Sequence, residues 1–234
     1  MTAVASAACD DCETGRMRDI TAETFDAVLF DNDGTLTDST AAVERAWRAW
    51  ATHHEVPLER LTAFHGVPSR SIVEAVVPPH VDVDVATADI DRRELEDLAG
   101  VVALPGAADA MAAVGGRAAI VTSAGRELAV LRLGAAGLAA PEAFVTADDI
   151  NRGKPDPQPY LVGARKLGVD PSRCLVVEDA PAGLRSGRGA GAATLAVTTT
   201  SPHEVLEPWA DLVVADLGVV VFSATPEGVR ISLR

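Results

Sequence analysis

The run Ala27-Val28-Leu29-Phe30-Asp31-Asn32-Asp33-Gly34-Thr35-Leu36-Thr37-Asp38 sets a short aliphatic segment directly against two carboxylates spaced by one residue. An apolar run stopped by an Asp-Asn-Asp-Gly cluster reads as a buried strand ending in a tight turn. In open α/β sheets, ligands bind outside the carboxyl ends of the strands, so Asp31 and Asp33 fall where chemistry is expected. Of two carboxylates held at one sheet edge, one can act as nucleophile while the other moves protons. Two other readings of the segment compete with this one. The first is a solvated turn rich in Asp and Asn. The second is a calcium loop, which fails because the sixth and twelfth positions from Asp31 hold Leu36 and Ala42 in place of Gly and Glu.

Outward from this segment the pattern repeats. Apolar runs recur at Ala118–Val121, Ala143–Val145, Leu175–Val177 and Thr194–Val197, separated by amphipathic or Ala-rich stretches at 106–115, 125–136, 157–168 and 181–190. Strands alternating with helices predict an α/β fold with a Rossmann-like, mainly parallel sheet covered on both faces. Val219–Phe222 and Val229–Leu233, flanking Thr225-Pro226-Glu227-Gly228, predict a C-terminal hairpin. The alternation breaks between Asp38 and about Gly100, where only helical patterns appear, at Ala41–His53, Ser69–Val76 and Asp84–Leu98. The expected organisation is a loose leader over 1–24, an α/β core over 25–40 and 103–234, and an inserted helical domain over 41–102.

Composition narrows the function. The 234 residues are 48% hydrophobic and only 4% aromatic, which suits buried aliphatic strands. A formal charge of −14 speaks against a general nucleic-acid binder, which needs clustered Lys and Arg. No stretch reaches the roughly 18–20 apolar residues of a membrane span, and the first residues lack the basic and apolar regions of a secretory signal. The expectation is a cytoplasmic protein with no membrane partner. Cys9 and Cys12 form a CxxC pair in a polar tail without a second pair or a nearby His, so no zinc or redox role is assigned. Cys174 lies in an apolar run and reads as core. His53 and His54 close a helix and read as solvated.

Three more strand ends hold reactive residues. Thr122 and Ser123 follow Val121, where hydroxyls and backbone N–H groups can hold phosphate. Lys154 lies in Arg152-Gly153-Lys154-Pro155-Asp156-Pro157, which alone reads as a solvated loop. Glu178 and Asp179 follow Val177 and suit a magnesium ion, although Asp179 could equally cap the next helix. In this order, an Asp pair, Thr-Ser, Lys-Pro and Glu-Asp resemble the haloacid dehalogenase superfamily of phosphotransferases over residues 26 to about 215. The similarity is densest in Asp31–Thr35, Gly153–Pro157 and Val177–Gly183, and is nearest the sugar phosphatases acting on glycerol phosphate and deoxyglucose phosphate.

That resemblance implies a fold and a mechanism. The helical insertion becomes a small cap that closes over the site. Asp31 becomes the nucleophile forming an aspartyl phosphate, and Asp33 the acid and base. Mg2+ would be bound by Asp31, the main-chain carbonyl of Asp33, and Asp179, with Glu178 close by. Lys154, Ser123 and Thr122 would hold the phosphoryl group. Dehalogenating relatives lack the second Asp. The segment Phe64–Arg70 resembles the cap loop turned toward substrate, which makes His65 and Arg70 specificity candidates. The expected partner is a small phosphorylated metabolite, a sugar or polyol phosphate, bound by a monomer or weak homodimer. The competing readings are a sugar phosphomutase of the β-phosphoglucomutase type and a non-catalytic phosphate sensor. The mutase reading lacks the Lys-Gly pair expected in the cap loop. The sensor reading predicts loss of one of Asp31, Asp33, Lys154 or Asp179, and all four are present.

Overall fold

The computed structural model describes residues 18–61 and 67–234. Among them, six parallel strands form one sheet in the order β5-β4-β1-β6-β7-β8: β1 (Ala27–Phe30), β4 (Ala118–Val121), β5 (Ala143–Val145), β6 (Cys174–Glu178), β7 (Ala193–Val197) and β8 (Leu212–Val214). The inner strands are buried throughout because both faces are covered, which is why they read as unbroken aliphatic runs. Successive residues point to opposite faces. Val28 and Phe30 join α4 (Ala107–Val114), α5 (Arg126–Ala135) and the C-terminal hairpin in one core. Ala27 and Leu29 pack on the other side against Tyr160, Val162 and Ala164 of α6 (Gln158–Leu167). A smaller cluster joins Leu184 of α7 (Pro181–Gly189) to Leu206 of α8 (His203–Leu206).

The hairpin is formed by β9 (Val220–Thr225) and β10 (Gly228–Leu233), paired antiparallel with Thr225 opposite Gly228. It receives a segment expected to be loose. Ile20 and Phe25 are each 1% exposed within the main core, and Phe25 exchanges backbone hydrogen bonds with Val229. The leader assigned to 1–24 is therefore corrected over 18–24, where burying Ile20 gives an ordered segment a reason to pack. Residues 1–17, with Cys9 and Cys12, lie outside the described residues. Cys174 is buried at the start of β6, as expected.

The insertion consists of α1 (Thr40–His53), α2 (Ser69–Val76) and α3 (Val83–Glu96), with Asp82 capping α3 through the N–H groups of Asp84 and Val85. Its own core gathers Ala46 and Trp50 of α1, Val73 and Val76 of α2, and Ala86 and Ile90 of α3. Trp50 is fully buried and donates Nε1–H to the Ala86 carbonyl at 2.8 Å. His54 departs from the solvated role expected of it. Its side chain is 9% exposed, stacks beside Trp50, and is hydrogen-bonded to Asp89 at 3.2 Å. His53 is exposed. The two chain crossings between insertion and sheet run side by side, as β2 (Thr37–Asp38) pairs antiparallel with β3 (Val102–Ala103).

Candidate active site

The loop after β1 is built by its own backbone. Asp31 N–H donates to the Val177 carbonyl of β6, and the Asn32 carbonyl accepts from the N–H groups of Thr35, Leu36 and Thr37. Gly34 turns the chain at φ +87°, and a Cβ there would stand 2.2 Å from Asp179 Oδ2. Only glycine brings the two acidic loops this close.

At the base of the site, Lys154 is 4% exposed. Its ammonium donates to Asp31 Oδ1 at 2.6 Å and to the Val121 carbonyl at 3.0 Å, and pairs with Glu178 Oε1 at 2.6 Å. Tyr160 donates its hydroxyl to the same Glu178 oxygen at 2.7 Å. Gly183 makes room for this carboxylate, since a Cβ there would lie 1.7 Å from Glu178 Oε1. Asp179 accepts from the hydroxyl of Thr200, and more distantly from Thr35 at 3.5 Å.

The electrostatics follow from burial. Water exclusion and the neighbouring carboxylates push Asp31 up to about 7 despite Lys154, and raise Asp179 well above the ordinary carboxylate range. Burial works against the Lys154 ammonium, but Asp31 and Glu178 outweigh it and hold it charged. Burial and the adjacent Glu178 raise Tyr160, keeping it a hydroxyl donor. Oxygens of Asp31, Glu178 and Asp179 lie within 4.8 Å of one another. Three buried carboxylates against one ammonium, all hard oxygen donors, suit a small divalent cation.

Asp33, two residues beyond Asp31, is one-quarter exposed. Ser39 donates to its Oδ1 at 2.7 Å, Asn32 to Oδ2 at 3.2 Å, and Arg132 of α5 to Oδ1 at 3.0 Å. Above these residues lies a cavity of about 590 Å³, bounded below by Asp31, Asp33, Thr122, Ser123 and Asp179, and above by insertion residues including Trp47, Arg70, Asp91 and Glu94. Thr122 is buried, its hydroxyl accepting from the Ala124 N–H at 3.1 Å, and Ser123 is half-buried.

Asp31, Asp33, Thr122, Ser123, Lys154, Glu178 and Asp179 thus converge from four strand ends. Arg70 reaches the cavity wall, with its guanidinium paired to Glu74 at 3.0 Å and Asp84 at 2.8 Å. His65 lies outside the described residues. Sequence reasoning missed Tyr160, Thr200, Glu94 and Arg132. Arg132 offered a signal: it follows Leu128 by four residues and Ala129 by three, on the apolar stripe of its helix.

The model of the haloacid dehalogenase-like hydrolases matches residues 25–191. The chain is 40% identical over 206 residues to hexitol phosphatase A of Escherichia coli, spanning 86% of this chain and 95% of that protein. It is 31% identical over 221 residues to 2-deoxyglucose-6-phosphate phosphatase 2 of Saccharomyces cerevisiae, spanning 82% and 88%. Among solved structures, a hydrolase from Pseudomonas syringae superposes with a TM-score of 0.75 at 25% identity, covering 84% of this chain and 95% of that one.

Proposed function

Because the chain belongs to the haloacid dehalogenase-like hydrolases, we propose that it is a Mg2+-dependent phosphatase of a small sugar or polyol phosphate, working through an aspartyl phosphate on Asp31. The observation that carries this reading is the Asp31 carboxylate held by buried Lys154 at 2.6 Å beneath a roofed cavity. The named activities of the hexitol and deoxyglucose phosphatases support the substrate class. So do the cavity walls, where Glu44, Asp91, Glu127 and Asp148 supply carboxylate oxygens able to accept from a leaving group rich in hydroxyls.

Mg2+ would be held by Asp31, Asp179 and the main-chain carbonyl of Asp33, and would offset the negative charge of the phosphoryl group. Glu178 acts mainly by fixing Lys154, since its Oε1 serves Lys154 and Tyr160 and its Oε2 accepts from the N–H of Asp179. Lys154 neutralises charge, and Ser123 donates to the phosphoryl oxygens with Thr122 shaping the same turn. Asp31 attacks phosphorus as the bond to the leaving oxygen breaks, and Asp33 gives that oxygen its proton. Asp33 then takes a proton from water, whose oxygen attacks the aspartyl phosphate and releases inorganic phosphate with Asp31 restored. The helical insertion acts as the cap, excluding bulk water and selecting leaving groups, with His65 and Arg70 as its specificity candidates.

The test is release of phosphate, with Mg2+ or EDTA, from hexitol, hexose, pentose and glycerol phosphates. Release from a narrow group of these, silenced by EDTA and by Asp31→Asn, is expected. Conversion of glucose 1-phosphate to glucose 6-phosphate without release would overturn hydrolysis in favour of a mutase.

A further inference from the structure

Arg132 is a buried cation of the site that the proposed mechanism does not use. It lies near the end of α5 and is 4% exposed. A guanidinium buried this deeply must be paired, because its desolvation is otherwise uncompensated. Its two partners come from different parts of the chain. NH1 donates to Asp33 Oδ1 at 3.0 Å, in the loop after β1, and NH2 donates to Glu94 Oε1 at 3.1 Å, on α3 of the insertion. Nε is buried without a hydrogen-bond partner among the described residues, so within them the orientation of the group rests on these two carboxylates. Glu94 is itself 8% exposed, and burial raises its pKa against the pull of Arg132.

The geometry points to Arg132 as a positioning residue: with Glu94 as its second anchor, it aims the Asp33 carboxyl at the leaving-group oxygen and transmits the seating of α3 to the site of proton transfer. The arrangement has the parts such a role requires. Asp33 is one-quarter exposed to the cavity, so without a fixed donor its carboxyl could turn to solvent. Ser39 and Arg132 converge on the same oxygen, Oδ1, and among the described residues Oδ2 has only the long contact from Asn32. The proton in question passes from Asp33 to the alkoxide oxygen as its bond to phosphorus breaks and the bond from Asp31 forms. If α3 lifts, Glu94 leaves, Arg132 loses half of its pairing, and the aim of Asp33 loosens with it.

This inference rests on the reading of Asp33 as general acid, and the experiment separates the two. The measurement is kcat/KM, which reports the first half-reaction, for glycerol phosphate, phenyl phosphate and 4-nitrophenyl phosphate. The last two are similar in shape, but 4-nitrophenolate departs without needing a proton. A group that only supports the fold affects all three esters alike. For Arg132→Gln the expected loss is about 30-fold or more on glycerol phosphate, intermediate on phenyl phosphate, and under about 3-fold on 4-nitrophenyl phosphate, a part of the roughly 100- to 10,000-fold attributed to general acid catalysis. Glu94→Gln, nearly isosteric, should show the same order with smaller losses, and Arg132→Lys should recover part of the activity on glycerol phosphate. Should Arg132→Gln not fold, Glu94→Gln decides alone. Equal losses on all three esters, or none, overturn the inference. Asp33→Asn is the control. If it shows the leaving-group dependence and the Arg132 and Glu94 variants do not, the positioning role alone falls; if Asp33→Asn shows no such dependence, the acid role falls and the inference with it.

Discussion

Replacing Lys154 with Met tests whether charge holds the buried cluster together. The ammonium has three partners, Asp31 at 2.6 Å, Glu178 at 2.6 Å and the Val121 carbonyl at 3.0 Å. Met keeps most of the bulk and none of these bonds, and Asp31, Glu178 and Asp179 are left facing one another. Removing one partner of a buried ion pair costs about 3–5 kcal/mol. For a chain of this size each kcal/mol moves the melting temperature by about 2–4 °C, so the variant should melt roughly 6–20 °C below wild type in EDTA. The pH dependence has a definite sign. Burial already raises Asp31 to about 7 and holds Asp179 well above the ordinary carboxylate range, and without Lys154 the neutral acids are favoured more strongly. A carboxyl whose folded-state pKa exceeds its unfolded value supports the fold at acid pH and loses that support as pH rises through the folded value. The deficit against wild type should therefore be smaller near pH 5 than near pH 8. Mg2+ at about a hundred times its Kd would return about 2.7 kcal/mol if the carboxylates bind it. Calorimetric melting at both pH values, with EDTA and with Mg2+, reads all of these effects. A variant melting within about 2 °C of wild type near pH 8 in EDTA would refute the reasoning.

Three further outcomes are expected. Gly34→Ala forces a side chain into a left-handed turn 2.2 Å from Asp179 Oδ2; it should abolish most of the Mg2+-induced rise in melting temperature, and a full rise would exclude the close approach as a requirement. Burial pushes Asp89 up, but its bonds to Arg93, Arg92 and His54 win and hold it at about 2, so the stability it supplies above about pH 4 should fade as pH drops toward 2. Asp89→Asn should flatten that acid limb in urea titrations, and an unchanged limb would assign it elsewhere. Trp50→Phe loses the 2.8 Å bond to Ala86 and leaves a void in the insertion's core, and should cost roughly 1–3 kcal/mol in urea unfolding; a change below a few tenths would mean that the three helices repack freely.

The sheet was legible wherever both faces are covered, because a strand buried on both sides must be aliphatic along its length. Edge strand β8 escaped notice: Leu212 and Val213 are only half-buried, so no unbroken apolar run was imposed there. The β2–β3 ribbon pairs two residues a side, too short for any periodicity. Among the candidate site residues, Asp31 and Asp33 could be read because they follow a strand, whereas Lys154, Glu178 and Asp179 became legible only through the order of the four motifs and the family resemblance. Arg132 and Tyr160 could not be read this way. Both sit on helices that also carry ordinary surface cations and apolar stripes, and their partners lie elsewhere in the chain: Asp33 and Glu94 at separations of 99 and 38 residues from Arg132, and Glu178 at 18 from Tyr160. His54 was misread for the same reason, since its environment is made by Asp89 on another helix. Local pattern specifies which residues face inward, whereas the pairing of two buried polar groups is a property of the folded topology.

The paired crossings have a consequence for how such a protein can change over generations. Thr37 lies opposite Ala103 and Asp38 opposite Val102, so the helical insertion begins and ends at one spot. Any replacement whose ends meet in the same way leaves the parent sheet no more stretched than a hairpin does, and closure entropy rises only slowly with insert length. The insertion is thus an exchangeable cassette: it can be shortened or elaborated while the sheet beneath, with Asp31, Lys154 and Asp179 seated in it, keeps its geometry.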